Sequence, residues 1–428
     1  MSGFTKRSRW PVSNEPDLPK VTEALRNRSL IFASAALRSS AISFSGVILA
    51  LYLASARFSV VGIGWVVALG LAGASAATLF VVLGPPIRDE KKALVGFAFL
   101  MALGGLVFAF STNFFMLIPF AFFDMVNGMG RDRGASATIE QAILPTTATE
   151  KERTRVFAWY NVCVDAGHAT GALLAALPAV FRARFHMETV RSYQGAWLVY
   201  AALLAAAGFV ALRLSPSARS AEHPPISRLS PESRPMVRNF ALLSGLDSLG
   251  GGFLTTALIS FWFFKRFGVD ESFLGPLFFF ARLANVFSHL AAAWVAKKIG
   301  LIKTMVFTHI PSSLLLMTIP FMPSIGVAVA LFLVRESLVE MDVPTRQSYI
   351  AAVVKPEERV KAAGLANLTR GVAWAAGPAI GGTLSVISMS LPILIGPGIK
   401  IVYDILLYRQ FHKIKPPEEI VLVSVGQK

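Results

Sequence analysis

The sequence predicts an all-α polytopic membrane protein with twelve transmembrane helices in two six-helix bundles. Three observations carry this prediction. Hydrophobic residues make up 54% of the 428-residue chain against 15% charged, with a mean hydropathy of +0.59, whereas soluble domains run at roughly 45–50% apolar and about 25% charged. The apolar residues gather into about twelve runs near the ~20-residue length that a helix needs to cross a bilayer. A polar, proline-rich stretch then divides those runs six and six.

Backbone amides in lipid must bond within their own segment, so each run is expected to be helical. The expected limits are 29–53, 60–83, 93–111, 113–130, 156–181, 194–214, 240–264, 273–296, 302–320, 324–343, 363–388 and 391–410. Between the sixth and seventh, Pro216, Pro224, Pro225, Pro231 and Pro235 stand among Ser and Arg, the composition of a connector. The expected organisation is a cytosolic N-terminal tail at 1–28, a first bundle at 29–213, a linker at 214–239, a second bundle at 240–410 and a C-terminal tail at 411–428.

A net charge of +16 in a soluble protein would point to nucleic acid. Here the cations collect in alternate loops: Arg88, Lys91 and Lys92; Arg131, Arg133, Lys151, Arg153 and Arg155; Arg213 to Arg238; Lys297, Lys298 and Lys303; Lys355, Arg359 and Lys361. That is the positive-inside pattern. It places both termini in the cytoplasm of a cell that carries the protein in its plasma or inner membrane, and it predicts no nucleic-acid partner. The first 28 residues have Lys6, Arg7 and Arg9 but no apolar run, so they are expected to be a tail rather than a signal peptide.

The halves share residues at one fixed offset: Gln141 with Gln347, Glu152 with Glu358, Arg153 with Arg359, Asn161 with Asn367, Ala169 with Ala375 and Gly171 with Gly377. An even number of spans separates them, so the repeat is expected to be parallel, about an axis along the membrane normal. Six spans plus six, a polar central loop and parallel halves resemble the major facilitator superfamily of secondary transporters. That family has a loop motif Gly-x-x-x-Asp-Arg-x-Gly-Arg-Arg/Lys between spans two and three. Gly84, Arg88, Asp89 and Lys92 keep part of it, and Lys298, Gly300 and Lys303 keep part of its second-half counterpart. The family's span-four Arg-x-x-x-Gly-x-Gly appears as Asp124-x-x-x-Gly128-x-Gly130, with the charge reversed.

Charge inside a membrane costs about 2.5–3.5 kcal/mol per residue on insertion scales, so an ionisable residue there is expected to face a cavity or a partner. Candidates for gating or coupling are Arg38 in span one, Asp124 in four, Asp165 in five, Asp247 in seven, and Arg335 and Glu336 in ten, with Glu340 and Arg370 also intramembrane. The resemblance implies that spans one, four, seven and ten line the pathway. Their signs run cation, anion, anion, cation. Arg38, Asp124, Asp247 and Arg335 are therefore expected to form ion pairs, and the sequence leaves open whether these lie within each bundle or close the pathway between bundles.

A coupling proton requires a carboxyl, and Asp124 and Glu336 rank first by location. His168, His289 and His309 are expected to be packing residues. Short helices along the membrane surface are expected after spans four and ten, around Glu140-Gln141 and Arg346-Gln347. No P-loop lysine motif, zinc spacing or nucleophile elbow appears, so neither an enzyme, a cofactor nor an ATP-driven pump is expected. The sequence predicts a monomeric carrier of a small organic solute working by alternating access, with proton-linked export favoured. The aromatic runs Phe261-Trp262-Phe263-Phe264 and Phe278-Phe279-Phe280 suit an apolar or amphipathic cargo. Proton symport, facilitated uptake and a carrier-shaped receptor are the alternatives.

Overall fold

The structure is a computed structural model that describes residues 18–414, apart from 86, 88, 150–151, 217, 219–228 and 356–357. The first half consists of α1 (Leu18–Ser55), α2 (Val60–Leu83), α3 (Glu90–Phe110), α4 (Phe114–Phe123), α5 (Ala135–Ile143), α6 (Arg153–Leu174), α7 (Leu177–Phe185) and α8 (Thr189–Ala211). The second consists of α9 (Ser233–Gly252), α10 (Thr256–Phe267), α11 (Glu271–Ile299), α12 (Leu301–Thr318), α13 (Ile325–Val339), α14 (Asp342–Val353), α15 (Arg359–Ile387) and α16 (Leu391–Phe411).

These sixteen helices form twelve spans because four spans are broken. α4 and α5 together make span four, α6 and α7 span five, α9 and α10 span seven, and α13 and α14 span ten. Among the described residues, nine segments are long and apolar enough to cross a membrane. The other three are spans four and ten, which are interrupted, and span eleven, α15, whose many Gly and Ala residues and Arg370 lower its hydropathy.

Helix starts follow local chemistry. The side-chain oxygens of Ser59, Asp89, Asn113, Thr255 and Asp270 accept backbone N–H bonds at the starts of α2, α3, α4, α10 and α11. Some limits differ from expectation. α1 reaches back into the expected tail and α9 into the expected linker, because polar residues extend a helix readily once an apolar span has nucleated it. α5 and α14 are not surface helices. Ile139, Glu140 and Ile143 of α5, and Thr345, Arg346 and Tyr349 of α14, are buried.

The repeat seen in the sequence is a repeat in packing. α6 lies against α1 and α15 lies against α9. A Cβ built on Gly171 would sit 2.0 Å from the Ser40 carbonyl oxygen of α1, and one on Gly377 would sit 2.4 Å from the Gly252 Cα of α9. Both positions require glycine for these helices to touch. The halves meet where α2 runs along α15, α6 along α11 and α1 along α10. The aromatics Phe261, Trp262 and Phe263 are buried in the core rather than turned to lipid, whereas Phe280 is exposed.

Because packed interiors resist added volume, Gly377→Val is expected to destabilise the protein by about 1–3 kcal/mol. A lowered thermal unfolding midpoint in detergent checks this. An unchanged midpoint would contradict the α9–α15 contact.

Candidate functional site: three helix breaks around a charged cavity

Span four is unwound from 124 to 134. Asp124 closes α4, Met125 has a φ of 54° and Gly130 a φ of 69°, backbone values incompatible with a continued right-handed helix. Freed peptide groups in a membrane protein are tolerated only where something bonds them. Here three consecutive carbonyls find partners in the other half. The Gly128 carbonyl accepts from the Ala257 N–H at 3.0 Å, the Met129 carbonyl from the Thr256 hydroxyl at 2.8 Å, and the Gly130 carbonyl from Arg282 at 2.9 Å. Within the first half, the Asp132 N–H donates to His168 Nε2 at 2.9 Å. The unwound segment is thus a strap seated on the second half, against the break between α9 and α10.

The break of span ten joins the same place. Glu340, which closes α13, receives Arg131 of the strap at 2.6 Å. Arg131 also donates to Asn285 of α11 at 2.7 Å, and Asn285 donates to Glu336 at 2.7 Å. Arg133 stands 3.7 Å from Glu340. Arg131 and Arg133 had been expected in a cytosolic loop as orientation signals. The helix break brings both to the lining of a cavity, Arg131 partly buried and Arg133 still exposed.

Two ion-pair sets flank the strap. Arg38 of α1 forms a two-pronged pair with Glu140 of α5, both contacts at 2.6 Å, and reaches Asp132 at 2.8 Å. The Tyr160 hydroxyl donates to the same Glu140 at 2.9 Å. In the second half Asp247 of α9 accepts from Lys400 of α16 at 2.7 Å and from Arg346 of α14 at 3.1 Å, while Arg346 also pairs with Asp342. Glu140 and Arg346 immediately precede Gln141 and Gln347, which the internal repeat equates. The two sets are therefore the same construction with the signs exchanged, each within its own half.

This corrects the expected pairings. The carboxyl of Asp124 does not meet Arg38. It lies against Gly104 of α3, and both its oxygens are buried with no hydrogen-bond partner among the described residues. The unwinding that begins at Asp124 puts Asp132 and Glu140, not Asp124, beside Arg38. Arg335 does not meet Asp247 either; it pairs with its neighbour Glu336. Asp165 is half exposed, with its carboxylate 3.9 Å from His168 one turn along α6. All three histidines face acids rather than apolar packing alone: His309 lies 3.0 Å from Asp404 and His289 lies 3.7 Å from Glu340. Asp165–His168 was visible as a helical spacing; the other two pairs join different helices.

The loop motifs act as turn chemistry. Gly84 ends α2, and Asp89 caps α3, accepting from the Lys92 N–H at 3.0 Å and pairing with its ammonium at 3.2 Å. Arg88 lies outside the described residues. In the second half Gly300, at φ 88°, joins α11 to α12, Lys298 lies over the Trp294 ring at 3.8 Å, and Lys303 is exposed in α12.

Where the three breaks meet there is a cavity of about 120 Å³. Its wall combines the apolar side chains of Ile259, Phe278, Leu316 and Phe332 with seven Lys and Arg side chains and four Asp and Glu. Sequence reasoning missed Arg282 and Lys400 in this wall, although each stands as a lone cation in an apolar run.

A broken-helix, two-bundle membrane fold with a cavity bounded by both halves defines a polytopic transporter. Residues 31–378 match the Major Facilitator Superfamily, and the chain belongs to that family. It is 25% identical over 396 residues to the uncharacterized membrane protein YJR124C of Saccharomyces cerevisiae, covering 85% of this chain and 88% of that one. Solved structures share the fold. The nucleoside transporter NupG matches with a TM-score of 0.65 at 16% identity, over 91% of this chain and 99% of its own. A bacterial homologue of the human lysosomal transporter Spinster, inward-facing and occupied, matches with 0.68 at 12%, over 92% and 98%. The human organic anion transporter MFSD10 matches with 0.57 at 15%, over 92% and 100%.

Removing one partner of a buried pair strands the other charge, at a cost of about 3–5 kcal/mol. Arg38→Gln is therefore expected to lower the thermal midpoint strongly, and Arg38→Gln combined with Glu140→Gln to recover part of the loss. A double variant no more stable than the single one would contradict the pairing.

Proposed function

We propose that the protein is a secondary active carrier that moves a small organic solute by alternating access, coupled to protons in the direction of export. It would work as a monomer in the plasma or inner membrane with both termini cytoplasmic. The observation that supports this most is the position of the cavity at three helix breaks contributed by both halves. Alternating access needs a site that both halves share and hinges at which the halves can re-pack, and breaks in helices supply such hinges. The bridges from Arg131 to Glu340 and from the strap to α10 would have to loosen and re-form as the halves rock.

Proton coupling is assigned to Asp124. An unpaired buried carboxylate is expensive in an apolar surrounding, so gaining or losing a proton there changes the local energy more than at any carboxyl already paired with a cation. Asp124 also begins the strap, so its charge bears on the break itself. Glu336, the other leading candidate, is held by Arg335 and Asn285. The fold relatives differ in cargo: NupG is a nucleoside transporter and MFSD10 an organic anion transporter. The cargo of this chain is therefore argued from its own cavity.

Purified protein in liposomes, offered aromatic carboxylates, amides and amines under an imposed pH gradient, tests the proposal. Proton-linked export predicts accumulation in acid-interior vesicles beyond protein-free controls. Asp124→Asn should retain solute exchange but lose the response to the gradient. Accumulation in alkaline-interior vesicles would indicate symport, gradient-independent flux a facilitator, and binding without flux a receptor; each would overturn coupled export.

A further inference from the structure

We infer that the cavity binds an organic anion with a planar apolar body, its carboxylate or phosphate held by Arg133 and Arg370 beside Trp374. This rests on the carrier reading for its purpose, though not for its chemistry. The sign of the cargo follows from which charges are already engaged. Each of the four acids in the cavity wall has a cation: Asp247 has Lys400, Glu336 has Arg335, Glu340 has Arg131 and Asp342 has Arg346. A cationic solute would find no free acid.

The cations are not used up in the same way. Arg370 donates from Nε to the Ser248 hydroxyl at 3.1 Å and has no carboxylate within ion-pair distance among the described residues. The nearest acid to Arg133 is Glu340, 3.7 Å away and already bonded to Arg131. Among the described residues Arg282, buried, bonds only a backbone carbonyl and a hydroxyl, and its Nε has no partner. With seven cations against four acids, the wall carries an excess of three positive charges. Such an excess is costly in a low-dielectric site until an anion offsets it.

Two of these guanidinium groups, Arg370 and Arg133, converge. Arg370 lies over the Trp374 ring at 4.8 Å and Arg133 over the same ring at 5.3 Å. Guanidinium forks match carboxylate and phosphate oxygens two at a time, and the ring holds both forks by cation–π attraction. Phe278 and Phe332, which line the same cavity, suit a flat hydrocarbon body. Arg133 belongs to the strap of the first half and Arg370 to α15 of the second, so a bound anion would join the halves across the cavity.

Binding to the purified full-length protein tests this without any requirement for transport. Titration calorimetry with benzoate, phenyl phosphate, benzamide and benzylamine should show at least one of the two anions binding about tenfold or more tightly than the amide or the amine, a difference of about 1.4 kcal/mol. Comparing benzoate with phenyl phosphate identifies the headgroup. Arg370→Gln and Trp374→Leu should each weaken anion binding by about tenfold, while Arg409→Gln, on the exposed end of α16, should leave it unchanged. The wild-type ligand comparison stands whether or not the variants fold. Equal binding of anion, amide and amine, no binding of either anion at millimolar concentration, or full affinity in a folded Arg370→Gln would overturn the inference. Anion binding without any flux in liposomes would leave this site standing and sink the carrier reading; flux of neutral or cationic solutes without anion preference would do the reverse.

Discussion

A charge held in an apolar interior is costly unless it meets its opposite or a hydrogen-bond partner, and that constraint organises the molecule. Arg38 needs Glu140 and Asp132, and Asp247 needs Lys400 and Arg346. Each set fastens the second segment of a broken span, α5 or α14, to the first helix of its half. An uncompensated member would cost several kcal/mol, a large fraction of the net stability of any fold. The breaks in spans four and ten therefore carry charged residues into the interior and are held in place by the pairs those residues make.

With α5 and α14 pinned, the unwound strap between Asp124 and Gly134 has little freedom. Its carbonyl groups find donors on Thr256, Ala257 and Arg282, and its Arg131 finds Glu340. These contacts are polar, local and exchangeable, unlike the apolar α2–α15 and α1–α10 seams. The chain thus combines fixed pairs inside each half with a polar junction between halves, and the cavity lies at that junction. Charge exchange between the halves, Glu140 in one and Arg346 in the other, keeps a duplicated frame from presenting the same electrostatic face twice.

Much of the frame was legible in the sequence. Apolar run length gave the spans, and the repeat of Gly171 and Gly377 corresponds to equivalent helix contacts, because bilayer thickness and close packing act on residue type and spacing alone. The site was less legible. Arg131 and Arg133 had every mark of a cytosolic loop and Glu140 of a short surface helix, since a break in a span and the end of a span look alike in hydropathy. Glu140 and Arg346 stood beside the repeated glutamines, so their equivalence could have been read; their burial could not.

The sequence by itself determined which segments are apolar enough to cross, their order, their duplication and the inventory of charges placed among them. Only the tertiary structure decided which charge meets which. Helical periodicity assigns a residue to a face of its own helix, but a pair such as His309–Asp404 or Arg370 above Trp374 beside Arg133 depends on the rotation of each helix and on where a helix stops. Those are settled by the packing of all neighbours together. Asp124 shows the difference: its sequence position marks it for a partner, and among the described residues the fold gives its carboxyl none.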